Sequence, residues 1–184
     1  MKMISYLSVL GESEPHGMTA LAIIGHSSGL PDGIYAFYEE YCPAPNCDCR
    51  DVCIDIQEGF YLPDGRLSLK GESFAAIRYR WETNEYYDSI KIEDTPTIDF
   101  PGAYLDPGGE QSEYAQVFLD IFLDKIEEED DFRLTFEEHY YNLKFKMKEI
   151  AATDRKEIPL GPIDSFPYFA RAIPSFRKRR IKLR

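Results

Sequence analysis

The sequence predicts an α+β domain in which an antiparallel sheet from about the first hundred residues is packed by two helices that follow it. Three observations carry this. The early segments are short apolar or alternating runs separated by turn residues, the later ones repeat their apolar positions every three or four residues, and a Pro- and Gly-rich stretch divides the two regimes. A length of 184 residues suits one domain, and a composition 43% hydrophobic and 14% aromatic excludes general disorder. The domain is expected over residues 1–158, with a Pro-punctuated extended basic tail over 159–184.

Residues 18–24 and 34–42 form the first pair of strands, joined across Gly29-Leu30-Pro31-Asp32-Gly33 as a long-looped hairpin. If that hairpin keeps its register across residues 25–33, paired positions sum to about 58 and Cys42 lies opposite His16, with His26 at the far end. Val52, Ile54 and Ile56 alternate with Asp51, Cys53 and Asp55, a strand with one buried face. Pro63-Asp64-Gly65 is a turn, after which Ala75, Ile77, Tyr79 and Trp81 share one face of another strand; residues 86–92 are expected to supply a further one. Beyond Pro96, Pro101, Gly102, Pro107, Gly108 and Gly109, Ser112 is placed to cap a helix carrying Tyr114, Val117, Phe118, Ile121, Phe122 and Ile126 on one face. A second helix aligns Phe132, Phe136, Tyr140, Leu143, Met147 and Ile150, and His139 falls on its inward stripe. The five acids from Glu127 to Asp131 read as a solvated turn whose Asp130 or Asp131 favours the start of the second helix.

The net charge of −12, from 33 acids against 21 bases, excludes a protein whose whole surface binds nucleic acid. It also conceals a division. Residues 171–184 carry seven bases and no acid, and without them 14 bases face 33 acids, a charge of −19. Such a tail fits docking on its own acidic body or on a second copy before it fits nucleic acid or an anionic membrane surface. No apolar run approaches the roughly 20 residues of a membrane span, and Met1-Lys2-Met3-Ile4-Ser5-Tyr6 has no signal-peptide pattern. The expected location is the cytoplasm.

Four cysteines fall within twelve positions, Cys42, Cys47, Cys49 and Cys53. In a reducing compartment this points to a metal before disulfides, which remain the alternative for an exported protein. Zinc binds thiolates at about 2.3 Å in a tetrahedron, so its sulfur ligands must converge to within roughly 4 Å of one another. A loop from the end of one strand to the start of the next brings Cys42, Cys47 and Cys49 together as a knuckle. Cys53, four residues along an extended strand from Cys49, lies roughly 13 Å away unless the chain bends. Soft thiolates make Zn2+ the expected ion in a structural role, with iron held by four sulfurs the alternative if Cys53 joins. His139, His16 and Cys53 are the candidates for a fourth ligand.

Tyr41-Cys42, Pro45-x-Cys47-Asp48-Cys49-Arg50, Trp81-Glu82, Leu105-Asp106-Pro107, Gln111-Ser112-Glu113-Tyr114-Ala115 and His139-Tyr140 together resemble an uncharacterised family of bacterial proteins. The resemblance spans roughly residues 34–146 and implies no known activity. It does imply Cys42, Cys47 and Cys49 as a common trio, His139 as the preferred fourth ligand, and an aliphatic residue where this chain has Cys53.

The deaminase, phosphate-loop and His-Glu-x-x-His patterns do not occur. A Cys-x-Cys spacing belongs more to closed structural sites than to catalytic ones with an open position. The expected function is therefore a cytosolic zinc-stapled module of interaction or regulatory type, binding a protein or peptide partner. A metal-dependent or cysteine-dependent enzyme of unknown substrate is the alternative. Tyr35, Phe37, Tyr38, Tyr41, Trp81, Tyr86 and Tyr87 offer either a partner groove or, as alternating aromatics on strands more often do, core.

Overall fold

A computed structural model of the chain describes residues 3–10, 18–24, 29–64, 66–90, 100–153 and 170–171. It has the predicted α+β architecture, an antiparallel sheet packed by the C-terminal helices. The central strands are β3 (Gly33–Tyr41), β4 (Asp51–Tyr61) and β5 (Arg66–Arg80), joined as consecutive antiparallel pairs. Each outer edge is shared by two short strands. β1 (Ile4–Ser5) and β2 (Met18–Ile23) lie along opposite ends of β3, while β6 (Gly102–Leu105) and β7 (Ala170–Arg171) lie along opposite ends of β5. Three helices complete the part that positions the site: α1 (Tyr6–Leu10), α3 (Ala115–Glu128) and α4 (Asp130–Thr153). A fourth, α2 (Asn84–Ile90), lies between β5 and β6.

The period-two patterns select the buried face. Tyr35, Phe37, Glu39 and Tyr41 of β3, Val52, Ile54 and Ile56 of β4, and Ala75, Ile77, Tyr79 and Trp81 at and beyond the end of β5 are all buried. Against them the helices place Phe118, Phe122, Phe132, Phe136, Tyr140, Leu143 and Met147. Phe122 sits at the middle of this core, with ring contacts to Phe37, Tyr79, Phe132 and Phe136. Tyr35, Phe37, Tyr38, Tyr41, Trp81 and Tyr87 are therefore core residues; Tyr86 alone of the seven is not buried.

The other face of β4 and β5 is polar. Arg78 pairs with Asp51 at 3.2 Å and Asp106 at 2.6 Å. Buried Arg80 lies over the rings of Tyr87, Phe100 and Tyr104, at 5.1, 5.3 and 5.7 Å. These rings come from α2 and the segment leading through β6, which close over this end of the sheet.

Several expectations are corrected. Paired positions of β2 and β3 sum to 56, as in Met18 with Tyr38, and the end of β3 pairs with β1, Tyr41 lying opposite Ile4. The alignment of Cys42 with His16 is thus replaced, and His16 itself lies outside the described residues. Residues 84–90 are helix, not strand. Thr83 starts it by accepting the Tyr86 N–H at its carbonyl (3.1 Å) and hydroxyl (3.4 Å). The burial of Tyr87 beside outward Tyr86 belongs to that helix turn, although in sequence it resembles the alternation of a strand. The Pro- and Gly-rich divider contains strand β6, and the first ten residues contain β1 and α1, none of which the sequence indicated.

The start of α3 and the acidic run follow expectation only in part. Ser112, three residues ahead of α3, accepts the Tyr114 N–H at 3.2 Å while donating to the Phe74 carbonyl at 2.7 Å; the N-cap position is Tyr114, with no side-chain cap bond, so Ser112 braces the approach to the helix instead of capping it as expected. Gln111 extends the β5 edge with its side chain, donating to the Ala76 carbonyl and accepting the Ala76 N–H. The acidic run spans the α3–α4 junction and is not a turn of its own: Glu127 and Glu128 end α3, Glu129 alone connects, and Asp130 and Asp131 begin α4 as expected, with Glu129 paired to Lys125 and Asp130 near Arg133.

Candidate metal centre

The cysteine segment is the connection between β3 and β4. Cys42 follows β3 and is fully buried. Pro43 and Pro45 deny the next residues a strand ladder, and the Cys47 N–H closes a turn on the Ala44 carbonyl at 3.1 Å. At Arg50 the backbone enters the left-handed region with φ of 46°, uncommon for a residue with a side chain. That single kink ends the loop before β4 starts at Asp51, so Cys49 is not the first residue of an extended strand and turns back toward Cys42.

The Arg50 side chain holds the kink. It bonds both oxygens of Asp48 at 3.1 Å, reaches Glu82 at 2.6 Å and lies 4.6 Å over the Tyr86 ring. The Arg50 carbonyl accepts the Tyr87 hydroxyl at 2.8 Å. Helix α4 fixes the other side of the loop. Tyr140 donates to the Cys47 carbonyl at 3.1 Å, and Lys144 donates to the carbonyls of Cys42 and Ala44 at 2.9 and 2.8 Å. Tyr140 and Lys144 are four residues apart on one helical face, which is why both reach the same loop.

The result is that the sulfurs of Cys42, Cys47 and Cys49 lie within 4.8 Å of one another, with Cys42 and Cys49 buried and Cys47 half-buried. A tetrahedral zinc site with about 2.3 Å bonds needs sulfurs about 3.8 Å apart, so a small contraction of the loop brings three ligands to bonding distance. The thiols are interdependent. The Cys49 thiol donates to Cys42 and, helped by burial and by Asp51, is pushed far up. Cys42, receiving that bond, is drawn down to about 5 against the opposing effect of burial, with further help from the Ala44 backbone and Lys144. Burial raises Cys47. A cation entering this site must displace protons from Cys47 and Cys49.

Cys53 stands apart. It lies on the opposite, polar face of β4, its thiol 3.7 Å from Asp106 and pushed well up by burial. His139, preferred as fourth ligand on the family resemblance, is not one of the converging donors. Its Nδ1 lies 2.7 Å from Oε2 of Glu39, and its ring stacks on Tyr6 with centroids 4.2 Å apart. One residue is about 100° of helix rotation, so the neighbour of Tyr140 faces the sheet interior instead of the loop. His16, His26 and the basic segment from residue 172 lie outside the described residues.

Two residues of this region were missed in the sequence. Glu39 is only 1% exposed, accepts the Tyr41 hydroxyl at 2.7 Å as well as pairing with His139, and keeps Oε1 without a partner among the described residues. Its signal was available: Glu39 is in phase with Tyr35, Phe37 and Tyr41, and an inward carboxyl requires a partner from the facing helix. Lys144 carried a fainter one, being four residues beyond Tyr140.

Comparison of the chain with family models, curated proteins and solved structures finds no match. Among the described residues, no helix is long and apolar enough to cross a membrane.

Proposed function

We propose that Cys42, Cys47 and Cys49 hold a zinc ion that staples the β3–β4 connection to α4, and that the protein works as a cytoplasmic interaction or regulatory module. The observation that carries the metal reading is the convergence of three sulfurs from one short loop. The loop is fixed independently by Arg50, Tyr140 and Lys144, so the ligands are gathered by contacts that do not need the ion. A structural role is favoured over catalysis because the carboxylates beside the loop, Asp48 and Glu82, are both engaged by Arg50, and neither is left as a base for a metal-bound water. The −19 body and the +7 tail make contact with the protein's own acidic surface, or that of a second copy, the partner interaction favoured by charge.

The test is the metal content of reduced, natively purified protein by mass spectrometry, alongside Cys47→Ser. One zinc per chain is expected in the wild type and none, or a readily lost one, in the variant. Reduced wild type that carries no metal and takes up none on adding Zn2+ rules the reading out. A Cys47→Ser protein that stays fully folded without metal would turn the assignment from structure toward catalysis.

A further inference from the structure

Lys144 is 6% exposed, yet no carboxylate among the described residues pairs with it. Its contacts are the two carbonyls of the cysteine loop and the face of Tyr140, whose centroid is 5.2 Å from Nζ. A buried ammonium is costly unless paired with a negative group, and carbonyl oxygens supply only partial charge. Three thiolates around a divalent cation form an assembly of charge −1. The buried cation and the convergent sulfurs thus each lack what the other has, and they meet at the same eight-residue loop, Cys42 to Cys49.

We infer that Lys144 is the countercharge of the metal site, a positioning residue that makes the trithiolate centre with its divalent ion electrically neutral inside the fold. This rests on the metal reading above. The carbonyl bonds place the ammonium beside Cys42 and set its distance from the sulfurs, while the Tyr140 face shields it from solvent. Lys144 thereby has two effects on the same loop: it satisfies two carbonyls, and it lowers the energy of the anionic complex that forms when the ion enters.

The two effects separate in a Co2+ titration, since Co2+ occupies zinc sites and gives sulfur-to-metal charge-transfer absorption. The proteins compared are wild type, Lys144→Met, Lys144→Arg and Lys144→Gln. Lys144→Met is expected to bind Co2+ and Zn2+ about 10–100-fold more weakly, the usual effect of losing an outer-sphere partner. Its charge-transfer band is expected at lower energy, because the sulfur donor orbitals lose a neighbouring positive charge. Lys144→Arg keeps the charge and should hold the band near its wild-type position. Lys144→Gln, which can still donate to a loop carbonyl, gives the uncharged comparison if the methionine variant does not fold. A folded neutral variant with wild-type affinity overturns the inference, as does one whose affinity falls while the band stays in place, for then Lys144 only staples the loop. Wild type that takes up no Co2+ overturns the metal reading itself and the countercharge with it.

Discussion

Replacing His139 with leucine separates a core role from a metal-binding one. In the fold His139 is one of two partners of Glu39 Oε2, the other being the Tyr41 hydroxyl, and Glu39 is 1% exposed. Leucine approximates the volume of the imidazole and preserves packing on Tyr6, but leaves the carboxyl with Tyr41 alone. Removing one partner of a buried pair of this kind costs about 3–5 kcal/mol. At about 2–4 °C per kcal/mol for a chain of this length, Tm falls by about 6–20 °C. The measurement is urea unfolding in excess chelator, so that no bound ion contributes. Glu39→Leu combined with His139→Leu should recover most of the loss, because an apolar pair of similar volume replaces a buried polar one at little net cost. Tyr41 keeps an acceptor in the double variant, the Phe136 carbonyl at 3.3 Å. If His139→Leu were as stable as wild type in chelator but failed to retain metal, the core-pair reasoning would be wrong and His139 would be a ligand.

Three further outcomes follow from the same geometry. Cys53→Ala should leave metal stoichiometry unchanged and lose about 1 kcal/mol with the thiol contact to Asp106, read from the urea midpoint and metal content of one sample. Asp106 is held below the usual carboxyl range although burial opposes this, because the Gly108 N–H and the Arg78 guanidinium stabilise its charged form. A depressed folded value gives stability that is present above the ordinary carboxyl pKa of about 3.9 and lost as pH falls through the folded value. Asp106→Asn should therefore be less stable than wild type at pH 7, with a gap that narrows below about pH 4; a gap of constant size would show that charge is not the cause. Gly109→Ala would put a Cβ 2.1 Å from the Ala76 Cβ, against the middle of β5, and should cost about 1–3 kcal/mol in urea unfolding.

Much of the fold was legible because it depends on local periodicity. Val52, Ile54 and Ile56 declared their buried face by alternation, and Phe132, Phe136, Tyr140, Leu143 and Met147 declared theirs by helical spacing. The same logic failed at residues 84–90, where two adjacent tyrosines on a single helix turn looked like alternation and the signal that mattered was the Thr83 cap. It failed again at β1 and β6, strands of two and four residues that are too short to show a period and exist because long β3 and β5 offer them an edge. Register was legible only approximately: the two-residue shift in the β2–β3 sum preserves which side chains face inward, so no hydrophobic pattern distinguishes the two pairings.

In the site, spacing singled out Cys42, Cys47 and Cys49, whose sulfurs converge; it set Cys53 aside on the reach of an extended chain, whereas the chain kinks at Arg50 and Cys53 is separated by its place on the opposite face of β4. The sequence likewise determined the order of sheet and helices and the opposition of acidic body and basic tail. Which groups meet across the core was decided only by the tertiary structure. Placing His139 on Glu39, and Tyr140 and Lys144 on the cysteine loop, depends on how α4 is rotated and advanced against the sheet. A turn of 100° or a rise of 1.5 Å exchanges those partners while leaving every periodicity in the sequence as it was.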